Sequence, residues 1–525
     1  MRISSRWIAA AAALLVLAGC TPGPGPSQPA PSASVPTPSG PVIGVSETPG
    51  FEVDRLRLPA SNARPDGFTE APDGGMDGYR KQAVQWRTCA ERYQCASIVA
   101  PLDYANPSAQ AITLALARKP ATATPKLGTL FINPGGPGAS GRNMVTYFAS
   151  EGLEQYDIVG WDPRGTNGST PVRCFDDKAT DAFNQLDSSP DNDAETEALL
   201  VGTYEFTTSC WQHSGELLNH ISTIDTARDL DLMRALVGDD KLSYLGYSYG
   251  TQIGAVYADL FPQRVGRLVL DAAVDITDDD SVIQAMGFDL ALGNFAAWCA
   301  RQNCSLGRSK DEVLKSTTDF LDKLDAEPLT VDDRMLTQTL AASGIAGYLY
   351  GGVPAWKELA SDLQAAIDGD GAQLLRSSDG LNDRGQDGRY GSLFYSFPAI
   401  GCADSKDFGV VEAEQRWVQD QKKAPIFGKY FGPGYTCALW TVRSAPQFQP
   451  TGSGAAPIVV VGATGDPATP YQNAVTMAKQ LTSAVLLTYE GEGHGTFGGK
   501  SACIDKAVIA YLTKGTVPTD GTRCQ

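Results

Sequence analysis

Histidine is scarce in this 525-residue chain, which holds three: His213, His220 and His494. None lies in a His/Cys/carboxylate spacing of the zinc type, so neither a metal nor any other cofactor is expected. Basic residues are outnumbered, 42 against 60 acidic ones, and the formal net charge is −18. With no cluster of Lys and Arg to offset that charge, the composition argues against a nucleic-acid partner. Long apolar runs are also missing. The run near the N-terminus, Trp7 to Leu17, is well short of the ~20 residues that a membrane-spanning helix needs. No internal repeat is found. What remains, 42% hydrophobic and 19% charged residues, is the balance of a soluble globular protein, long enough for one large or two ordinary domains.

The short N-terminal run suits a signal-peptide core, because Arg2 and Arg6 precede it. It ends in Leu17-Ala18-Gly19-Cys20, which resembles the lipobox of bacterial lipoproteins. That resemblance implies removal of residues 1–19 and acylation of the Cys20 thiol; plain secretion with a free Cys20 is the alternative. Acyl chains contribute about 0.8 kcal/mol per buried methylene, so two or more would hold the protein on the outer face of the cytoplasmic membrane. Residues 20–50 are Pro, Ser, Thr and Gly with little apolar content, the composition of a disordered tether. Ten of the eleven cysteines follow Cys20. An even number in an exported chain points to disulfides, and local pairs in chain order are the simplest arrangement: 89–95, 174–210, 299–304, 402–437 and 503–524.

From residue 51 the pattern is globular. Strand candidates at Ala96–Leu102, Ala111–Ala117, Gly128–Ile132, Asp157–Trp161, Lys241–Tyr247 and Arg267–Leu270 alternate in part with helices. Those helices run from just after Gly141 to about Leu153, over Asp225–Val237, and from Gly250 to Leu260. Such alternation predicts an α/β fold with a mostly parallel sheet. Between about residues 275 and 450 the alternation stops and helical patterns dominate, which reads as an inserted helical cap. Strand and helix order resumes over 451–525. The expected organisation is therefore a first sheet part (51–274), the cap (275–450) and a second sheet part (451–525).

The centre of the chain is Gly246-Tyr247-Ser248-Tyr249-Gly250, following an apolar strand and opening a helix. This is the form of a nucleophile elbow, a sharp turn that lifts a serine hydroxyl above a sheet. With 55 glycines in the chain, the bare Gly-x-Ser-x-Gly pattern is expected about 0.4 times by chance, so its context decides. A serine hydroxyl is a poor nucleophile near neutral pH and needs a base, which in turn needs an acid to orient it. In α/β-hydrolases these follow the serine in the order acid, histidine, on loops after late strands. Asp466 lies just past the strand Ile458–Val461, and His494 just past Ala484–Tyr489. His213 and His220 precede the serine and break the order. Asp271, at the end of the strand after the elbow helix, is the alternative acid, and Asp466 is preferred. The backbone N–H of Tyr249 and one from the Gly135–Gly138 turn, assigned to Gly136, would form the oxyanion hole. That turn lacks both the Lys-Ser/Thr of a Walker loop and the glycine spacing of a dinucleotide site.

Five motifs now stand together: Asn133-Pro-Gly-Gly-Pro-Gly-x-Ser-Gly, Gly160-Trp-Asp-Pro-Arg-Gly-Thr, Gly246-Tyr-Ser-Tyr-Gly-Thr, Gly465-Asp-Pro-x-Thr-Pro and Gly493-His-Gly. As a set, over residues 80–525, the chain resembles the secreted tripeptidyl aminopeptidases of actinobacteria, within the prolyl-iminopeptidase-like α/β-hydrolases. The iminopeptidase motif usually begins with His where this chain has Asn133. The resemblance implies a serine exopeptidase that releases short peptides from free N-termini; some relatives act on esters, so a carboxylesterase is the alternative. A non-catalytic peptide-binding lipoprotein is the reading from a different class. An aminopeptidase must hold an α-ammonium group, and Asp404, fixed by a Cys402–Cys437 bridge, is the candidate, with Glu412 and Glu414 behind it.

Overall fold

The computed structural model describes residues 61–277, 280–405, 409–442, 445 and 448–525. The expected signal peptide, Cys20 and the tether lie outside them. In chain order the strands are β1 (Phe68–Thr69), β2 (Arg87–Ala90), β3 (Tyr93–Pro101), β4 (Ala111–Lys119), β5 (Gly128–Asn133), β6 (Tyr156–Trp161), β7 (Leu242–Tyr247) and β8 (Val265–Asp271). A small hairpin, β9 (Leu329–Val331) and β10 (Arg334–Leu336), lies within the helical segment that follows. Beyond it come β11 (Ile458–Gly465), β12 (Ala484–Glu492) and β13 (Thr522–Cys524).

All but the hairpin join one sheet, in the order β13-β12-β11-β8-β7-β5-β6-β4-β3-β2, with β1 beside β4. From β6 across to β13 every neighbouring pair is parallel. The edge formed by β4, β3 and β2 is antiparallel. Parallel strands need crossover helices, and these cover both faces, so β6 is buried at every residue. Successive side chains point to opposite faces. Tyr244 and Leu270 pack with the helices Thr223–Leu236 and Tyr249–Leu260 in one core. Leu245 and Val269 pack on the other face with the helices Gly141–Tyr147 and Ala502–Lys514.

The helical segment between β8 and β11 has a core of its own around Phe288, Phe295, Ile345, Leu349, Trp356 and Phe427. One of its helices, Leu393–Asp404, packs instead into the sheet core through Tyr395, Ala399 and Ile400. All five expected disulfides form: Cys89–Cys95, Cys174–Cys210, Cys299–Cys304, Cys402–Cys437 and Cys503–Cys524. Among the described residues no helix is long and apolar enough to cross a membrane.

The structure departs from the sequence reading in several places. The helix after the Gly-rich turn ends at Tyr147 rather than near Leu153, because Phe148 is already extended. The chain there must turn back through Gly152, whose φ is +80°, to start β6. The expected cap holds the helices Ala372–Leu381 and Leu393–Asp404 among others. The second carries Pro398 in its interior, a residue that ordinarily marks a helix end. Edge strand β2 is exposed at every position, so no apolar alternation announces it.

Candidate active site

The elbow is built where β7 passes into the helix Tyr249–Leu260. Ser248 sits at φ +55° and ψ −128°, a conformation that costs a non-glycine residue on the order of 1–3 kcal/mol. The surroundings hold it there. Its N–H donates to the Asp271 carbonyl at 3.0 Å, and its own carbonyl accepts from the Thr251 N–H and hydroxyl at 2.8 and 2.6 Å. The flanking glycines are required sterically: a Cβ on Gly246 would fall 2.4 Å from the Gly250 carbonyl oxygen.

Asp466 follows β11 and His494 follows β12, so two neighbouring parallel strands deliver them to the same end of the sheet. The His494 Nδ1 lies 2.9 and 3.0 Å from the two Asp466 carboxylate oxygens. Asp466 Oδ1 also accepts the Ala468 and Thr469 N–H groups, each at 2.9 Å, which holds the carboxylate in place. An imidazole whose Nδ1–H is taken by a carboxylate presents its Nε2 lone pair as the base. The histidine loop is clamped from the cap side as well. His494 N–H donates to the Tyr350 carbonyl at 3.0 Å, and the Tyr350 ring meets the imidazole edge-on at 5.3 Å. Lys500 Nζ donates to the His494 carbonyl at 2.9 Å. Neither Tyr350 nor Lys500 belongs to a motif, so the sequence alone does not mark them. The Ser248 hydroxyl makes no hydrogen bond to His494 here; such contacts commonly tighten only with substrate in place.

Asp271, the alternative acid, is not brought to the imidazole. Its Oδ2 accepts the backbone N–H groups of Thr496 and Phe497 at 2.9 and 2.6 Å. Burial pushes its carboxyl up to about 6.

On the other side of the serine, Gly135 and Gly136 have φ of +90° and +109°. A Cβ on Gly135 would come within 2.9 Å of the Ser248 Cβ, so this turn lies directly against the elbow. Asn133 supports it by accepting the Gly135 N–H on its side-chain oxygen at 2.8 Å. The Gly136 and Tyr249 N–H groups donate to no protein acceptor among the described residues, and both residues line the cavity onto which Ser248 opens.

That cavity has a volume of about 650 Å³. The sheet domain contributes Gly136, Ser248 and Tyr249 to its wall, and the helical segment contributes Phe397, Asp404, Glu412 and Gln419. Asp404 accepts the Thr223 N–H at 2.9 Å and the Thr223 hydroxyl, and that hydroxyl also meets the Tyr249 phenol. Burial pushes the Asp404 carboxyl up to about 7. Glu412 lines the cavity and pairs with Arg416 at 3.5 Å, whereas Glu414 turns away to the Tyr435 hydroxyl. His213 bonds the Ser209 carbonyl in its own helix, and the His220 carbonyl serves Arg164; neither lines the cavity. No group of three or more His, Cys, Asp or Glu is gathered to hold a metal among the described residues.

Comparison with known proteins gives the family. The profile of the family described as TAP-like protein matches residues 424–524. Serine protease Hip1 of Mycobacterium tuberculosis is 36% identical over 481 residues, covering 84% of this chain and 91% of that one. Carboxylesterase B of the same organism is 35% identical over 495 residues, covering 87% and 94%. The tripeptidyl aminopeptidase of Streptomyces coelicolor is 30% identical over 490 residues, covering 85% and 86%. On these alignments the chain is a serine hydrolase, and it belongs to the actinobacterial tripeptidyl-aminopeptidase-like family of α/β-hydrolases.

Proposed function

We propose that this hydrolase is an exported, lipid-anchored aminopeptidase that releases short peptides, tripeptides in the first instance, from free N-termini. In this reading Ser248 attacks the scissile carbonyl while His494 Nε2 takes its proton, and Asp466 stabilises the imidazolium that forms. The N–H groups of Gly136 and Tyr249 receive the oxyanion, where losing one donor typically costs about 10²–10³ in rate. His494 then returns its proton to the departing amine. The acyl-enzyme on Ser248 is released by water, activated by the same imidazole.

The observation that carries the peptidase reading is Asp404. A carboxylate set into the cavity wall, one threonine away from Tyr249, is suited to an α-ammonium group and has no task in hydrolysing a neutral ester. A carboxylesterase is the second reading. It is favoured by the likeness to carboxylesterase B and by apolar wall residues such as Val256, Ile276 and Phe397. Release rates from a tripeptide amide with a free N-terminus, the same peptide N-acetylated, and a butyrate ester separate the two. The peptidase reading expects the free peptide to be strongly preferred over the acetylated one; equal rates on both would end the ammonium role. The anchor rests on the Leu17–Cys20 motif, and metabolic labelling with a radioactive fatty acid that persists in Cys20→Ser would remove it.

A further inference from the structure

Asp271 is completely buried, yet the reaction proposed above gives it no task. It stands at the end of β8, in register with Tyr247 of β7, immediately beside the elbow. Its backbone carbonyl accepts the Ser248 N–H, while its Oδ2 accepts two consecutive N–H groups, Thr496 and Phe497, two and three residues past His494. One residue therefore holds the segment carrying the serine through its main chain and the loop carrying the histidine through its side chain. Its Oδ1 finds no protein partner among the described residues. A carboxylate kept in such a place costs stability, since burial disfavours the charged form.

We propose that Asp271 is a positioning residue for hydrolysis: by accepting the Thr496 and Phe497 N–H groups, its ionised carboxylate fixes the His494 loop against the Ser248 elbow. This rests on the assignment of Ser248 and His494 above. The physical need is specific. The loop runs through Gly493 and Gly495, at φ +92° and +70°, and glycine leaves its backbone free to shift. An imidazole displaced by 1 Å can lose about 10²-fold in rate. The charged and titratable groups around Asp271 are Lys500 and His494 on the loop, Asp466 after β11 and Tyr247 on β7. Lys500 favours the ionised carboxylate, while Asp466 and burial oppose it.

Kinetics and loop exchange separate positioning from simple structural support. The folded state raises the Asp271 pKa to about 6, above the unfolded value of about 3.9, and so favours the protonated form. Its stabilising contribution is complete below pH ~4 and is lost as pH rises through about 6. At pH 7.5 Asp271→Asn should lower kcat at least tenfold while KM stays within twofold. Hydrogen exchange of the peptide spanning 493–500 should accelerate in Asp271→Asn and remain unchanged in Ser248→Ala. The exchange readout does not depend on turnover, so failure of the serine assignment and failure of this proposal are distinguishable. Should Asp271→Asn not fold, the wild type carries the test. Corrected for intrinsic rates, protection of 493–500 should fall between pH 7 and pH 5 while that of β12 holds. A lowered melting temperature with kcat unchanged, or loop protection indifferent to both the substitution and pH, would overturn the proposal.

Discussion

The sheet and the helical cap contribute to the site in opposite ways. Ser248, Asp466 and His494 each stand just past the end of a strand, on β7, β11 and β12, and parallel pairing brings those ends together. Their loops are short and heavily bonded, and of the three it is the elbow that places a non-glycine residue at positive φ. The cap supplies none of the three. It lines the cavity, presents Asp404 from a helix that packs into the sheet core, and meets the histidine through Tyr350. On the proposed mechanism, chemistry resides on a framework set by strand order, and selection on a surface assembled from separate helices. The two should fail differently when altered: the sheet side in kcat, the cap side in KM.

The largest effect is expected at Ser248. Ser248→Ala should lower turnover by about 10⁴–10⁶ and abolish fluorophosphonate labelling while the protein stays folded. Retained labelling would place the nucleophile elsewhere. Asp466→Asn follows, with a fall of about 10³–10⁴ in kcat and little change in KM, since the imidazole would lose its preferred tautomer. A larger loss in Asp271→Asn than in Asp466→Asn would exchange their roles.

A purely structural contrast comes next. Arg164 is fully buried and bonds Asp229 through Nε and Nη2 at 2.8 and 2.7 Å, as well as the carbonyls of Pro101, Leu102 and His220. Asp229→Ala would strand that charge and should cost about 3–5 kcal/mol in urea unfolding, on the sheet side and without any KM signature. The smallest change belongs to the cap. Asp404→Asn should raise KM for a free tripeptide amide about tenfold, or ~1.4 kcal/mol, leaving kcat and the butyrate ester unaffected.

The same carboxyl sets a pH dependence. Its pKa of about 7 in the folded state lies above the unfolded value of about 3.9, so its contribution to stability is complete below pH ~4 and gone above about 7. Only the ionised form holds an ammonium group. KM for the free peptide should thus rise as pH falls below about 7, and KM for the acetylated peptide should not follow. Parallel behaviour of the two substrates would take recognition away from Asp404.

Much of this protein could be read along the chain. The Ser248 elbow and the meeting of Asp466 with His494 were legible because each residue sits in a short motif at a strand end, where local backbone geometry demands particular residues, glycine above all. The parallel sheet was legible because buried strands write continuous apolar runs, and the five disulfides because each partner is near in sequence. Other features had no local signature. Asp404 is one of many aspartates until the helix Leu393–Asp404 folds into the sheet core and carries it to Thr223, 181 residues earlier. Asp271 offered itself as a second acid until folding set its carboxylate on two backbone N–H groups 225 and 226 positions downstream. Tyr350 meets His494 only because the cap closes over the sheet. Strand-end chemistry is dictated by local sterics and periodicity, which the chain carries wherever it goes. The roles proposed for Asp404 and Asp271 depend on contacts between distant segments, and those exist only once packing has chosen which segments meet.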